Sequence, residues 1–117
     1  MKGVALYFFV TATFAVTLSM IWGIQMSASG NHQLASAHAH LNLVGWATMA
    51  LFGIYYHLHP EANAAMLAKI HYVVALAGLG IMVPGIVSAI QQTGDILAKI
   101  GSMLTLLSML IFLFTVF

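Results

Sequence analysis

The chain has 117 residues, 62% of them hydrophobic and 4% charged, with a formal net charge of +1. An ordinary soluble domain is about 25% charged, so three lysines, two acids and no arginine cannot cover a surface in water. The composition predicts an integral membrane protein of one compact helical domain. It excludes a basic nucleic-acid footprint and, with no cysteine, any disulfide or thiolate ligand.

In chain order, the first predicted element runs from Val4 to Met26 without a charge. A bilayer core asks for about 20 apolar residues per helix. The core of a signal peptide is only about 7–15 residues long. The run is therefore read as a retained span, with Ser27-Ala28-Ser29-Gly30 as the cleavage stretch of the signal-peptide alternative. Gly30-Asn31 is a turn signal, and His32 falls in that loop. The second span covers about 34–58, and Pro60 ends it because proline lacks an N–H. The third covers about 62–89, with a kink expected at Pro84. Gln91-Gln92-Thr93-Gly94-Asp95 forms the next break, and the fourth span covers about 96–117.

The fold class expected is thus an all-α membrane protein, a four-transmembrane-helix up-down bundle, because short connections make neighbouring helices antiparallel. Four spans place both termini on one side of the membrane. Lys2 and Lys69 flank one side and Lys99 the other, so the positive-inside rule gives an N-in, C-in orientation. His38 and His40 then lie towards the outer side, and His57 and His59 towards the inner side.

Ionisable groups inside a span are costly and mark functional sites by default. His38 and His40, in Ala37-His38-Ala39-His40-Leu41-Asn42-Leu43, are the leading candidates. At a spacing of i, i+2 on an α-helix they project about 200° apart, so they serve two sites on opposite sides of the helix rather than chelate one ion. The bland alternative puts both in the headgroup zone, bonded to water or lipid. His71, just after Lys69, is a secondary candidate as a further axial ligand or proton-relay group, and its bland reading as an interfacial histidine is preferred. His57 and His59 beside Tyr55 and Tyr56 read as an interface belt. Gly45, Gly53, Gly78, Gly80 and Gly85 are small residues of the kind that let helices, or a flat cofactor, approach closely. The methionines show no paired spacing and read as core filler or lipid-facing groups rather than a copper track.

His38-Ala39-His40, followed by Gly45-Trp46, Phe52-Gly53, Tyr55-Tyr56 and Pro60, resembles the tenth transmembrane helix of the haem-copper oxidase catalytic subunit, closest to the C-type branch. Lys69-Ile70-His71-Tyr72 through Pro84 and Gly85 resembles the next helix. The similarity covers about residues 36–90. It implies that His38 matches the axial ligand of the family's high-spin haem and His40 one ligand of its low-spin haem. It also implies that His71 matches a histidine that binds no haem. Implied with it are haem b and iron, a bacterial or archaeal cytoplasmic membrane, and a quinol or redox protein as electron partner.

The chain departs from the family in size and ligand set. The family subunit has about twelve spans in three similar groups of four, of which this chain supplies one. The copper-ligand histidines and the arginine pair that holds haem propionates have no counterpart, so a full oxygen-reducing centre is not expected. Three copies would restore twelve helices, and cyclic homo-oligomers are common, so a homotrimer is the expected assembly. The functional expectation is a haem-b-binding membrane protein for electron transfer or diatomic gas binding, with helix-two histidines as axial ligands. The alternatives are a non-catalytic accessory subunit of a respiratory complex, or a copper- or zinc-binding membrane protein, since imidazole also suits those metals.

Overall fold

The computed structural model describes all residues from Met1 to Phe117 and is all-helical apart from its short connections. Helix α1 (Gly3–Ser29) ends at Gly30, whose φ of 69° is the left-handed cap that glycine takes most readily. Next come α2 (Ala35–His40), a π-helical segment (Leu41–Thr48) and α3 (Met49–Leu58), which follow one another without a break in helical backbone. A short α4 (Pro60–Ala64), α5 (Met66–Ile90) and α6 (Ile96–Val116) complete the chain.

Three of these are long and apolar enough to cross a membrane: α1, α5 and α6, with mean hydropathies of 2.0, 2.3 and 2.1. The stretch from Ala35 to Leu58 differs from the uniform α-helix expected there, because its middle third is wound as a π-helix. The expected start of the third span near Ala62 is also corrected. Pro60 opens α4 at a position where its missing N–H has no intrahelical partner to lose. Ala65, extended at φ −72° and ψ 150°, then separates α4 from α5. Pro84 is accommodated inside α5, which runs continuously to Ile90.

The helices pair as two hairpins. Helix α1 lies along the π segment and α3, and α5 lies along α6. At one end Asn63 ties the start of α1 to the α3–α5 connection: it accepts from Ala5 N–H at 2.9 Å and donates to the Lys2 carbonyl at 3.0 Å. At the other end Asn31, Gln33 and Gln91 border a common recess. The body measures 46 × 28 × 17 Å.

Small residues set the helix separations, as expected for spans that pack without a hydrophobic drive between them. A methyl group at Gly45 would lie 2.9 Å from Ala15 Cβ, and one at Gly101 would lie 2.5 Å from the Met82 backbone. Gly80, by contrast, faces open space. The core proper forms where the two hairpins meet near the Asn63 end, around Phe8, Phe52, Tyr56 and Ala68. Helix α6 contributes little to it. Most of its apolar side chains, Met103, Leu106, Leu113 and Phe114 among them, are exposed.

Candidate functional site

The i, i+2 histidines point to opposite sides, as the helical period requires. His38 turns toward α1. A carbonyl can only accept, so His38 Nε2 is the donor in its 2.9 Å bond to Ser19 O. Its ring stands edge-on to Trp22, and Gly23 makes room for it, since a Cβ there would lie 3.3 Å from Nε2. Ser19 Oγ, next to this contact, is the one buried side-chain polar atom without a partner.

His40 turns the other way. Its Nδ1 is 2.7 Å from Ser36 O, so by the same reasoning Nδ1 carries the proton. Nε2 is then the nitrogen left without a partner in the chain. A histidine held this way, with one nitrogen donating to a backbone carbonyl, has the tautomer and ring orientation of a metal ligand. His38 has the reverse arrangement, with Nε2 used internally.

His40 borders a cleft of about 380 Å³ that opens between the π segment and α6, over α5. Ligand pockets run from about 300 to 1,000 Å³. Val44, Met49, Phe52 and Met82 give the cleft apolar walls, and Thr48, Ser102, Thr105 and Ser108 add hydroxyls. No lysine and no other histidine borders it.

The π segment explains why His40 is there. An α-helix turns about 100° per residue, so His40 and Phe52 on a uniform α-helix would stand roughly 120° apart. A π-helix, with i to i+5 bonds, turns only about 82° per residue, which brings the two within roughly 25°. Accordingly His40, Val44, Thr48, Met49 and Phe52 all border one cleft. The Thr48 hydroxyl also bonds Leu43 O, five residues back, at 2.7 Å. The register therefore behaves as a uniform helix with one residue inserted. Deleting Ala47, which is exposed, should let the segment relax to α-helix with His40 still on the cleft face. Inserting one alanine beside it should swing His40 away by about 100°. Ligand binding retained in the deletion and lost in the insertion, read by titration of each variant, is the expected pattern.

Behind Phe52 and Ser108, which line the cleft, lies a second cluster outside it. His71 is fully buried, with Nδ1 2.8 Å from the Tyr56 hydroxyl and Nε2 3.2 Å from Ser108 Oγ. Phe8, Phe52 and Phe112 surround its ring at centroid distances of 4.9, 4.5 and 5.7 Å. The interfacial reading of His71 is thus corrected. The chain distance to Tyr56 and Ser108 hides the contact from sequence, and it closes only when α3, α5 and α6 pack. The aromatic belt is corrected in part as well. Tyr56 is fully buried, whereas His57 and His59 are exposed and Tyr55 stacks on His59 at 4.1 Å. His32 is exposed in its loop. No three histidine or carboxylate side chains converge on one point, so the arrangement offers no multidentate metal cage. Sequence reasoning passed over Ser108, Tyr56 and Phe112 as site residues. A lone serine in an apolar span is a weak signal, but it was the available one.

Comparisons with known proteins add no relative: no family model, no curated protein and no solved structure matches the chain.

Proposed function

We propose that the chain is a haem-b-binding membrane protein in which His40 is the axial ligand, acting in electron transfer or in binding a diatomic gas. The observation that carries this reading is the His40 ring, fixed by Ser36 O with its Nε2 free at the edge of a cleft of about 380 Å³. The lining fits a flat apolar group: Phe52, Met49 and Met82 offer apolar contact, while the hydroxyls of Ser102 and Thr105 donate to Ala98 O and Met82 Sδ within the chain. Bound there, haem would supply one-electron chemistry at iron, tuned by axial ligation and burial. His40 would hold the iron, and Ser36 O would keep its ring oriented. His38 becomes a helix-packing group in this reading, because its Nε2 is already committed to Ser19 O.

No second histidine borders the cleft, so one chain offers a single axial ligand. Either the opposite axial position stays open, which suits a gas, or a neighbouring copy supplies it. A homotrimer of four-span chains, N-in and C-in, with Ala35 to Leu58 as the remaining span, would present the exposed side chains of α6 to a neighbour. Native mass measurement in mild detergent is expected to give a trimer; monomer or dimer alone would remove the assembly but not the haem site. The reading as a whole is tested by a reduced-minus-oxidised spectrum of protein made with ample haem. A b-type band supports it, and a flat spectrum overturns it.

A second reading has its own support. His38 and His71 are both satisfied by hydrogen bonds inside the chain, which is what a non-catalytic accessory subunit would show if its histidines only join helices. A flat spectrum with a normally folded chain favours it. Copper or zinc binding has the weakest geometric support, since no three ligating side chains come together.

A further inference from the structure

The chain has three lysines, and they are not alike. Lys99 is paired with Asp95 at 3.2 Å. Lys69 has no carboxylate partner, and it borders a cleft of about 720 Å³ between the first turns of α1 and α5. Asn63, Tyr7, Tyr72, Val4 and Val73 are among its other walls.

Much of the hydrogen-bonding capacity in this cleft is spent inside the chain, and the one charge that borders it is positive. Both polar side-chain atoms of Asn63 are used, on Ala5 N–H and the Lys2 carbonyl. The Tyr72 hydroxyl is engaged with Thr11 Oγ1 at 2.7 Å. The ring of Tyr7, 5.8 Å from that of Tyr72, carries a hydroxyl with no partner in the chain, and the Lys69 ammonium is likewise free. The Asn63 clamp also holds the backbone of Lys2, the third lysine, at the same end. What remains is the Lys69 ammonium, which can only donate, and the Tyr7 hydroxyl, which can donate to an anion, beside apolar flanks at Val4 and Val73. A ligand that answers both is an anion with a hydrocarbon tail.

We propose that this cleft binds an anionic phospholipid, with the phosphate on Lys69 and Tyr7 and an acyl chain along Val4 and Val73. Basic pockets at helix ends recognise such headgroups, and each lysine near the surface contributes enough for about a fivefold preference. A neutral quinone would leave the Lys69 charge unanswered, so the phospholipid is the better occupant. The site is independent of the haem reading, because its lining shares no residue with the His40 cleft and its test reads no haem signal.

The test is native mass spectrometry of the full chain in mild detergent with equal phosphatidylglycerol and phosphatidylcholine. The wild-type chain is expected to retain phosphatidylglycerol preferentially. Lys69→Gln should lower that preference about fivefold. Tyr7→Phe should lower it less, and Lys99→Gln should leave it unchanged. Lys69 is exposed, so its replacement leaves the fold intact, which an unchanged melting temperature verifies. Equal retention of the two lipids, an unaltered preference in Lys69→Gln, or an equal loss in Lys99→Gln would overturn the site. So would binding of a neutral quinone analogue in the absence of any phospholipid preference.

Discussion

His40→Ala is expected to abolish the reduced haem band, while His38→Ala leaves it in place. The difference follows from the two rings' hydrogen bonds rather than their sequence spacing. His40 spends Nδ1 on Ser36 O and keeps Nε2 free at the cleft, whereas His38 spends Nε2 on Ser19 O inside the helix pair. Removing the first deletes the only imidazole on the cleft. Removing the second loosens the contact of α2 with Trp22 and Gly23 and costs stability, not ligation. Free imidazole added to His40→Ala should restore part of the band, because the substitution leaves a gap of the ring's own size. Loss of the band in His38→Ala alone would transfer the ligand role to the α1 side and overturn the present assignment.

The second large effect is on stability. His71→Leu should lower the unfolding free energy by about 2 kcal/mol, measured by reversible denaturation in mixed micelles. Interhelical hydrogen bonds in membrane proteins average only about 0.6 kcal/mol and reach about 1.7. Stranding a buried partner adds its own penalty of about 1–3 kcal/mol, and that term decides the size here. The Tyr56 hydroxyl is fully buried and His71 is its partner. The double variant His71→Leu with Tyr56→Phe removes one of the two stranded hydroxyls, leaving that of Ser108, and should recover part of the loss. A double variant as unstable as the single one would show that the cost came from repacking against Phe8, Phe52 and Phe112 instead.

What could be read from the sequence was whatever depends on local period and solvent. The apolar runs of α1, α5 and α6 are visible because lipid demands them, and the Gly30 turn because a left-handed cap selects glycine. The divergence of His38 and His40 is set by two residues of helix, so it survives any tertiary arrangement. The π segment was not legible. Leu41 to Thr48 contains good helix formers and one glycine, and nothing in them announces a change from i+4 to i+5 bonding. Yet that change decides which side chains share a face with His40. The burial of Tyr56 and His71 was equally hidden, because it is created by α3, α5 and α6 meeting, and a residue near the end of a span looks interfacial until its neighbours are placed. The break at Ala65 escaped for the opposite reason: alanine is a strong helix former, yet its backbone is extended between α4 and α5.

The cleft beside His40 is walled by protein on the π segment, α5 and α6 and is open on its remaining side. In a membrane that side is closed by hydrocarbon or by another copy, so the medium is one wall of the proposed haem site. Occupancy should then respond to what surrounds the protein. A short-chain detergent that penetrates the opening competes for the same apolar contacts, and a long-chain detergent or a lipid nanodisc seals it. The solubilising agent is in this sense a reagent, and the same polypeptide handled in two micelles can present two different affinities without any change in its own coordinates.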